Sequence, residues 1–223
     1  MIGSARTVRA PSTGRASVSP LVSVSGLGRS FGPNEVVRRL DLEVSAGERV
    51  ALIGPNGSGK TTVLRCIAGT LTPSRGSVAV DGRAPIEAGT RRSIGFSLSQ
   101  ERSFYMRLSG RANLLFFARV RGSSRREAAE IVDALSKELE LADILAERAD
   151  RCSTGMIQQL GFARALLGEP SLLLLDEPTR SLDKHAVERV WAAVARRPEC
   201  AVVIATHHEE DIERCTSRVE LPT

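Results

Sequence analysis

The 223-residue chain contains few aromatic residues and no long apolar run. Aromatic side chains make up 4% of the residues, so alanine, leucine and valine must supply most of the core. The longest apolar stretches, residues 114–118 and 172–175, are far shorter than the ~18 residues that a membrane-spanning helix needs. We therefore predict that the chain does not cross a bilayer.

Cysteine pairs of the metal-binding or disulfide type are also lacking. The four cysteines are widely separated, form no CxxC pair and have no set of histidines beside them. This spacing favours neither a zinc site nor a disulfide framework. We interpret all four as reduced thiols of a cytoplasmic protein.

Lysine is rare, since Lys60, Lys137 and Lys184 are the only lysines among 31 basic residues. The formal net charge of +5 would suit a nucleic acid or an anionic membrane surface. However, the arginines are dispersed or lie in the first fifteen residues, and basic residues do not alternate with aromatic ones as in RNA-binding modules. We predict no nucleic-acid partner.

The first twenty residues differ in composition from the rest of the chain. Residues 1–20 are rich in Ser, Arg, Thr and Gly, contain no acidic residue and show no apolar period, which predicts a disordered N-terminal extension. An arginine-rich, acid-poor start also resembles an organellar transit peptide. We favour a loose tail or an early start codon, and we expect residues 21–223 to form one domain.

Short apolar runs separated by turns and helical segments predict an α/β fold. Alternating apolar and polar residues over 21–24 and 36–44 indicate antiparallel strands. Further strands are predicted over 49–53, 77–80, 93–96, 172–175 and 201–205. Because strands alternate with helices over 59–69 and 184–196, we expect a mainly parallel core sheet.

Between about residues 107 and 168 the apolar period becomes helical, which predicts an inserted helical subdomain. Ser124 and Glu127 have the spacing of a capping box. The apolar face of the helix that follows comprises Ala128, Ile131, Val132, Leu135 and Leu139.

The predicted strand over 49–53 leads into a glycine-rich loop that opens a helix. Residues 54–61 read GPNGSGKT and fit the phosphate-loop pattern GxxxxGK[ST]. Glycines let backbone amides converge on phosphate oxygens, and the helix N-terminus adds a favourable dipole. Lys60 would bring its charge to the β and γ phosphates, and Thr61 would ligate Mg²⁺.

Two carboxylates end the apolar strand at 172–175. Asp176 is expected at the carboxyl edge of the sheet, near the phosphates, where it suits a Mg²⁺ ligand. Glu177 follows directly and would orient or deprotonate an attacking water.

Two further motifs accompany the phosphate loop and the acidic pair. Residues 179–183 read TRSLD, and residues 152–160 read CSTGMIQQL and precede ARAL. Together these motifs resemble the ATP-binding-cassette ATPases, which are P-loop NTPases, over about residues 21–214. The first looks like the family's D-loop and the second like its LSGGQ signature. In that signature Cys152, Thr154 and Met156 depart from the consensus, whereas Ser153 and Gly155 are kept.

The resemblance implies a fold and a set of roles. The family fold is a cassette with a mainly parallel core sheet, an antiparallel β-subdomain and an α-helical subdomain. In the family, the groups that match Ser153 and Gly155 touch the γ-phosphate bound by the opposite subunit. Ser153 also suits the N-cap of the following helix. His207 matches the switch histidine beside the γ-phosphate, and we expect His208 to face solvent.

Two assignments within the resemblance keep an alternative. Phe31 matches the aromatic residue that stacks on adenine, although a core phenylalanine fits nearly as well. Gln100 matches the glutamine that links Mg²⁺ and water to the helical subdomain. Residues 101–111 resemble the corresponding loop of exporter ATPases of the ABC-2 type, so residues 104–106 either contact a membrane partner or are buried in the subdomain.

The candidate residues fall into three sets. The catalytic candidates are Lys60, Gln100, Glu177 and His207. The metal candidates are Thr61, Gln100 and Asp176. The candidates for nucleotide contact are Phe31, Gly54, Pro55, Asn56, Gly57, Ser58, Gly59, Lys60, Thr61, Thr62, Ser153, Gly155 and Asp183.

The resemblance implies an ATP-binding and ATP-hydrolysing subunit that uses Mg²⁺ and drives a separate transmembrane permease, more in the manner of an exporter than an importer. Two cassettes, identical or different, would enclose two ATP molecules at the cytoplasmic face of the membrane. The alternative is a non-transport cassette ATPase acting on ribosomes or nucleic acid, although neither a second cassette nor a long coiled-coil insertion is evident in this chain. A degenerate cassette that only binds nucleotide is disfavoured by Glu177 and His207.

Overall fold

The computed structural model describes residues 6–9, 19–98 and 103–222. The strands of these ranges are β1 (Arg6–Arg9), β2 (Val22–Phe31), β3 (Asn34–Val44), β4 (Arg49–Ile53), β5 (Arg75–Val80), β6 (Ile94–Ser97), β7 (Leu172–Asp176), β8 (Ala201–Ala205) and β9 (Ser217–Glu220). The helices are α1 (Lys60–Ile67), α2 (Ala88–Ser93), α3 (Gly110–Val120), α4 (Arg125–Glu138), α5 (Ala142–Ala146), α6 (Thr154–Leu166), α7 (Lys184–Ala195) and α8 (Glu209–Glu213).

A six-stranded sheet in the order β1-β9-β4-β8-β7-β6 forms the centre of the molecule. Its strands are parallel except for β1, which pairs antiparallel to β9. Every residue of β7 is buried: Leu172 and Leu174 pack on one face of the sheet, and Leu173 and Leu175 on the other. A strand covered on both faces needs a continuous apolar run rather than an alternating one. The expectation of a mainly parallel core sheet is confirmed.

A separate three-stranded antiparallel sheet has the order β3-β2-β5. Its apolar face packs with α1 and one face of the core sheet around a cluster that includes Val22, Leu40 and Leu64. The antiparallel strands predicted over 21–24 and 36–44 are therefore confirmed. The strand predicted over 77–80 is part of β5, which pairs with β2. It therefore belongs to the antiparallel sheet and not to the parallel one.

Helices α3 to α6 lie between β6 and β7 in the chain, in the predicted helical region. The capping box at the start of α4 is confirmed, because Ser124 N donates to Glu127 Oε2 at 2.7 Å and Glu127 N donates to Ser124 Oγ at 3.2 Å. The α4 side chains predicted to form an apolar face are buried or half-buried. Within the described ranges, no helix combines the length and the apolar composition that a bilayer crossing requires.

Part of the N-terminal extension differs from the expectation of disorder. Residues Arg6–Arg9 form β1, which pairs with β9 so that Arg6 lies opposite Glu220. Strand pairing uses backbone groups, so it requires no apolar period, and it covers the open edge of β9. Residues 1–5 and 10–18 of the extension lie outside the described residues.

Helix α6 packs closely on β6, and the contact depends on a glycine. A Cβ atom at Gly95 would overlap the carbonyl oxygen of Ala165, a backbone atom that cannot rotate away. We predict that Gly95→Ala lowers the free energy of unfolding by about 1–3 kcal/mol, since α6 must shift to make room.

A matched control is Gly89→Ala, an exposed position in α2 where the nearest atom, Arg83 Nη1, is 3.8 Å from the added carbon. This variant should be as stable as wild type or slightly more stable. Urea denaturation of both variants measures the difference. Equal transition midpoints for Gly95→Ala and wild type would contradict the packing.

Candidate functional site

The carboxyl ends of β4, β7 and β8 meet at one edge of the core sheet, and the predicted site residues lie there. Thr61, in the first turn of α1, places its Oγ1 atom 3.1 Å from both carboxylate oxygens of Asp176 at the end of β7. The structure thus joins two residues that are far apart in the sequence. Hydroxyl and carboxylate oxygens are the ligands that Mg²⁺ prefers, so these two side chains fit a magnesium site.

The glycine-rich loop between β4 and α1 brings its backbone close to neighbouring chain segments. Gly59 precedes α1 with φ of 92°, a conformation that favours glycine. A Cβ atom there would lie 2.7 Å from Val37 Cγ2 of the β2–β3 hairpin. The loop therefore packs directly against the antiparallel sheet.

Lys60 is 8% exposed, and its ammonium group lies over the loop. Its Nζ atom donates to the carbonyl oxygens of Gly54 at 2.7 Å and Pro55 at 3.0 Å. The buried hydroxyl of Ser58 has no hydrogen-bond partner among the described residues. If an anion bound to this loop, Lys60 would exchange its two neutral carbonyl acceptors for a charged partner. The loop therefore suits a phosphate group.

Glu177 follows β7 in a left-handed backbone conformation with φ of 49°. Its N–H donates to the carbonyl oxygen of Ala205 in β8 at 2.8 Å, and its own carbonyl accepts a bond from Gln158 Nε2. Only 8% of the residue is exposed. The carboxylate is therefore held at the sheet edge by backbone bonds on both sides.

His207 lies beside Glu177, as the predicted roles require. Its Nδ1 atom is 2.7 Å from Oε1 of Glu177, whereas Oε2 is buried and has no hydrogen-bond partner in the described chain. The expectation that His208 faces solvent is not met in full, because its side chain is 38% exposed and that of His207 is 51% exposed. The Nε2 atom of His208 lies 4.0 Å from Oε2 of Glu177 instead of facing solvent.

The predicted signature residues lie at the N-terminus of α6. Ser153 is the N-cap, as predicted, and its Oγ atom accepts a bond from Met156 N at 3.2 Å. Met156, one of the departures from the consensus, returns a weak bond, since its sulfur is 3.5 Å from Ser153 N. At Gly155 a Cβ atom would lie 2.5 Å from the carbonyl oxygen of Ser181, so the close packing of α6 on residues 179–183 requires glycine.

Two buried polar residues were missed by the sequence analysis. The first is Gln158 in α6, whose Nε2 donates to the Glu177 carbonyl while its Oε1 accepts from Ser181 N at 3.2 Å. Helix α6 is therefore linked directly to the segment that carries the two carboxylates. Only the apolar setting of a glutamine in GMIQQL could have hinted at this contact.

The second is Asp211 in α8, which is 1% exposed. Its carboxylate accepts from Thr179 Oγ1 at 2.5 Å, Thr206 Oγ1 at 3.1 Å and Trp191 Nε1 at 2.9 Å. A buried carboxylate needs such partners. Asp211 thereby ties together the segments after β7 and β8, which carry Glu177 and the two histidines.

The remaining candidates are less closely grouped. Phe31 is 48% exposed with the Arg29 guanidinium 4.5 Å from its ring centroid, which overturns the alternative of a core phenylalanine. Asp183 caps α7 by accepting from Ala186 N at 2.9 Å, and this bond lowers the pKa of its carboxyl. Gln100 lies outside the described residues. Three residues of the loop are exposed, namely Pro55, Asn56 and Gly57. Thr62 is half-buried in α1.

Comparisons with known proteins agree with this geometry. A family model described as ABC transporter matches residues 37–180. The Nod factor export ATP-binding protein I of Rhizobium sp. (strain N33) is 35% identical over 205 residues, 89% of this chain and 66% of that protein. The ABC transporter ATP-binding protein NatA of Bacillus subtilis (strain 168) is 34% identical over 183 residues, 80% of this chain and 74% of that protein.

A solved structure of an ATP binding subunit of an ABC transporter superposes with a TM-score of 0.81 at 27% identity. The match covers 90% of this chain and 85% of that one. The match covers just under two thirds of the length of the Nod factor protein.

The buried link made by Gln158 can be tested by its effect on stability. We predict that Gln158→Leu costs about 1–3 kcal/mol of unfolding free energy, because the Glu177 carbonyl and the Ser181 N–H lose their buried partner. The control is Gln159→Leu, the same change at the next, half-buried position of α6, which should cost clearly less. Chemical denaturation compares the two, and equal losses would contradict the assigned role of Gln158.

Proposed function

The chain belongs to the ABC transporter family, and we propose that it binds ATP with Mg²⁺, hydrolyses it and thereby drives a separate membrane permease. The observation that carries the proposal is the meeting of four groups at one sheet edge: Thr61 with Asp176, and Glu177 with His207. We assign residues 21–223 to one ATPase domain, with the helical subdomain at about 107–168 inserted in it.

ATP binding is assigned to the loop at 54–61 and its surroundings. Lys60 would move from the loop carbonyls to the β and γ phosphates, and backbone amides of the loop and of Thr62 would contact phosphate oxygens. Thr61 and Asp176 would hold Mg²⁺, which neutralises charge on the phosphates when bound. Phe31 is exposed on the hairpin that packs against Gly59, where it can stack on the adenine.

Hydrolysis is assigned to Glu177 and His207. The Oε2 atom of Glu177 has no competing hydrogen bond among the described residues, so it can accept a proton from a water that attacks the γ-phosphorus. His207 bonds to the other carboxylate oxygen, and we assign it the contact with the γ-phosphate. We also assign Gln100 a supporting contact with water and Mg²⁺ from the resemblance alone.

The complete site would need a second cassette. Ser153 and Thr154 are exposed at the N-terminus of α6, although Gln158 in the same helix is buried against Glu177. An exposed helix N-terminus is suited to an anion. We propose that Ser153 and Gly155 contact the γ-phosphate of ATP bound to a partner cassette, identical or different, and that Asp183 lies at the same interface.

The helical subdomain offers a surface for the permease. Tyr105, Met106, Leu108 and Phe116 are 40–50% exposed, and Val120 is 66% exposed, whereas Phe104 is buried. The sequence leaves open whether residues 104–106 are exposed or buried; in the structure Phe104 is buried, whereas Tyr105 and Met106 are exposed.

The backbone beneath this surface is held in place by a buried asparagine. Asn113 Oδ1 accepts from Tyr105 N at 2.8 Å, and its Nδ2 donates to the carbonyl oxygens of Tyr105 and Ser109. A groove of about 760 Å³ beside it is lined by Phe116, Val120 and the arginines Arg119 and Arg125. A fixed apolar surface of this kind fits a protein partner, and we assign it to the permease.

Transport is favoured over the ribosomal or nucleic-acid alternative because the named relatives are transporter subunits. The name of the Rhizobium protein refers to export, which favours an exporter. We propose that the chain acts at the cytoplasmic face of the membrane through its permease.

The function is tested by ATP hydrolysis with and without Mg²⁺. We expect the purified wild type to release phosphate in a Mg²⁺-dependent manner and Glu177→Gln to be slower by at least about 100-fold, because the amide cannot accept the water's proton. The variant should still bind ATP and elute as a dimer in size-exclusion chromatography with Mg-ATP. Glu140→Gln, at an exposed surface glutamate, is the matched control and should behave as wild type.

Two results would contradict the proposal. Hydrolysis by Glu177→Gln at the wild-type rate would mean that another group activates the water. If fluorescent nucleotide titration showed that the wild type does not bind ATP, the assignment of ATP as its cofactor would be wrong.

A further inference from the structure

His208 and Glu177 face each other with atoms that nothing else in the described chain satisfies. His208 Nε2 lies 4.0 Å from Glu177 Oε2, which is beyond hydrogen-bond range. Both atoms are buried and lack a hydrogen-bond partner among the described residues. The proposed hydrolysis uses His207 and gives His208 no task.

The neighbouring His207 completes a set of three possible ligands. Its Nδ1 atom is 2.7 Å from the other oxygen of Glu177, and the two imidazole rings lie 4.2 Å apart between centroids. One ligand atom from each of the three residues lies within 4.8 Å of the others. Two imidazole nitrogens and a carboxylate oxygen are the ligands of many zinc sites that leave a fourth position to water.

We propose that Glu177, His207 and His208 form a binding site for a divalent transition-metal ion of the zinc type, and that an ion there prevents Glu177 from activating water. Bonds from zinc to nitrogen or oxygen are about 2.0–2.2 Å long. One ion could therefore bond to both His208 Nε2 and Glu177 Oε2, which are 4.0 Å apart. A small rotation of the half-exposed His208 ring would bring its nitrogen into a tetrahedral arrangement around the ion.

The backbones that carry the ligands are held by bonds remote from the ion. Glu177 is fixed by Ala205 and Gln158, as described above. His208 N donates to Thr206 Oγ1 at 3.1 Å, and that hydroxyl bonds to the buried Asp211. These bonds fix the backbone from which both ligands project.

The ligand chemistry separates this site from the magnesium site at Thr61 and Asp176. Imidazole nitrogens suit zinc, cobalt or nickel, whereas Mg²⁺ selects oxygen ligands. The cysteines are poor competitors for zinc, because burial raises the pKa of Cys200 to about 11 and that of Cys215 to about 12. The pKa of Cys66 and of Cys152 is raised by burial as well.

The site is tested by calorimetric titration of ZnCl₂ alone into the metal-free, nucleotide-free full chain. We expect one ion per chain for wild type and binding weaker by at least about tenfold for His208→Gln, which removes the imidazole and keeps a polar side chain. The matched control is His185→Gln, which removes the exposed histidine of α7 and should bind zinc as wild type does. Glu177→Gln should also bind more weakly, since an amide is a poorer ligand.

Cobalt absorption gives a second measurement. Co²⁺ in the wild type should show the visible bands of a tetrahedral nitrogen and oxygen site, and these should be lost in His208→Gln. Absence of zinc binding by wild type, equal binding by His208→Gln, or cobalt–thiolate charge-transfer bands would each overturn the proposal.

The effect on activity rests on the proposed function and is measured separately. At a free Zn²⁺ concentration set by a metal buffer, zinc should lower kcat for Mg-ATP in wild type without changing KM, and should have less effect on His208→Gln relative to its own zinc-free rate. A wild type that binds zinc but never hydrolyses ATP would refute the proposed function and leave the metal site intact. Zinc binding without any loss of kcat would refute the inhibitory role.

Discussion

The backbone of Glu177 is the point on which the functional arrangement depends. Its N–H is bonded to Ala205 in the neighbouring strand, and its carbonyl is bonded to Gln158 in α6. Between these two bonds the residue adopts a positive φ of 49°, which a non-glycine side chain seldom does without support. The carboxylate thereby faces His207 and His208, whereas Asp176 bonds to Thr61.

The same contacts connect the helical subdomain with the segment that follows β7. Helix α6 presents Ser153 to solvent at its N-terminus, and five residues later its Gln158 bonds to the carbonyl oxygen of Glu177. Gly155 allows this helix to approach Ser181 closely. A displacement of the exposed end of α6 would therefore be transmitted to the carboxylate by direct bonds, which gives a physical route from the helical subdomain to the site.

The sequence predicted features that depend on local pattern. The glycine spacing of 54–61, the buried run before Asp176 and the capping box at Ser124 are each specified by residues within a few positions of one another. The contacts of Gln158 and Asp211 could not be predicted, because they join segments that are brought together only by the packing of α6 and α8. Strands β1 and β9 were also missed, since each has only four residues with a single valine and so carries no distinctive apolar period.

A hydrolytic site built from residues of two chains can be tested by complementation. Lys60→Ala disables the phosphate loop, whereas Ser153→Asp keeps an N-cap residue on α6 and places a negative charge against the phosphate. Each variant alone should be inactive, but a mixed dimer would contain one intact site, so mixing the two should restore ATP hydrolysis. If the mixture stays inactive although co-purification of two differently tagged chains shows mixed dimers, the site lies within one chain.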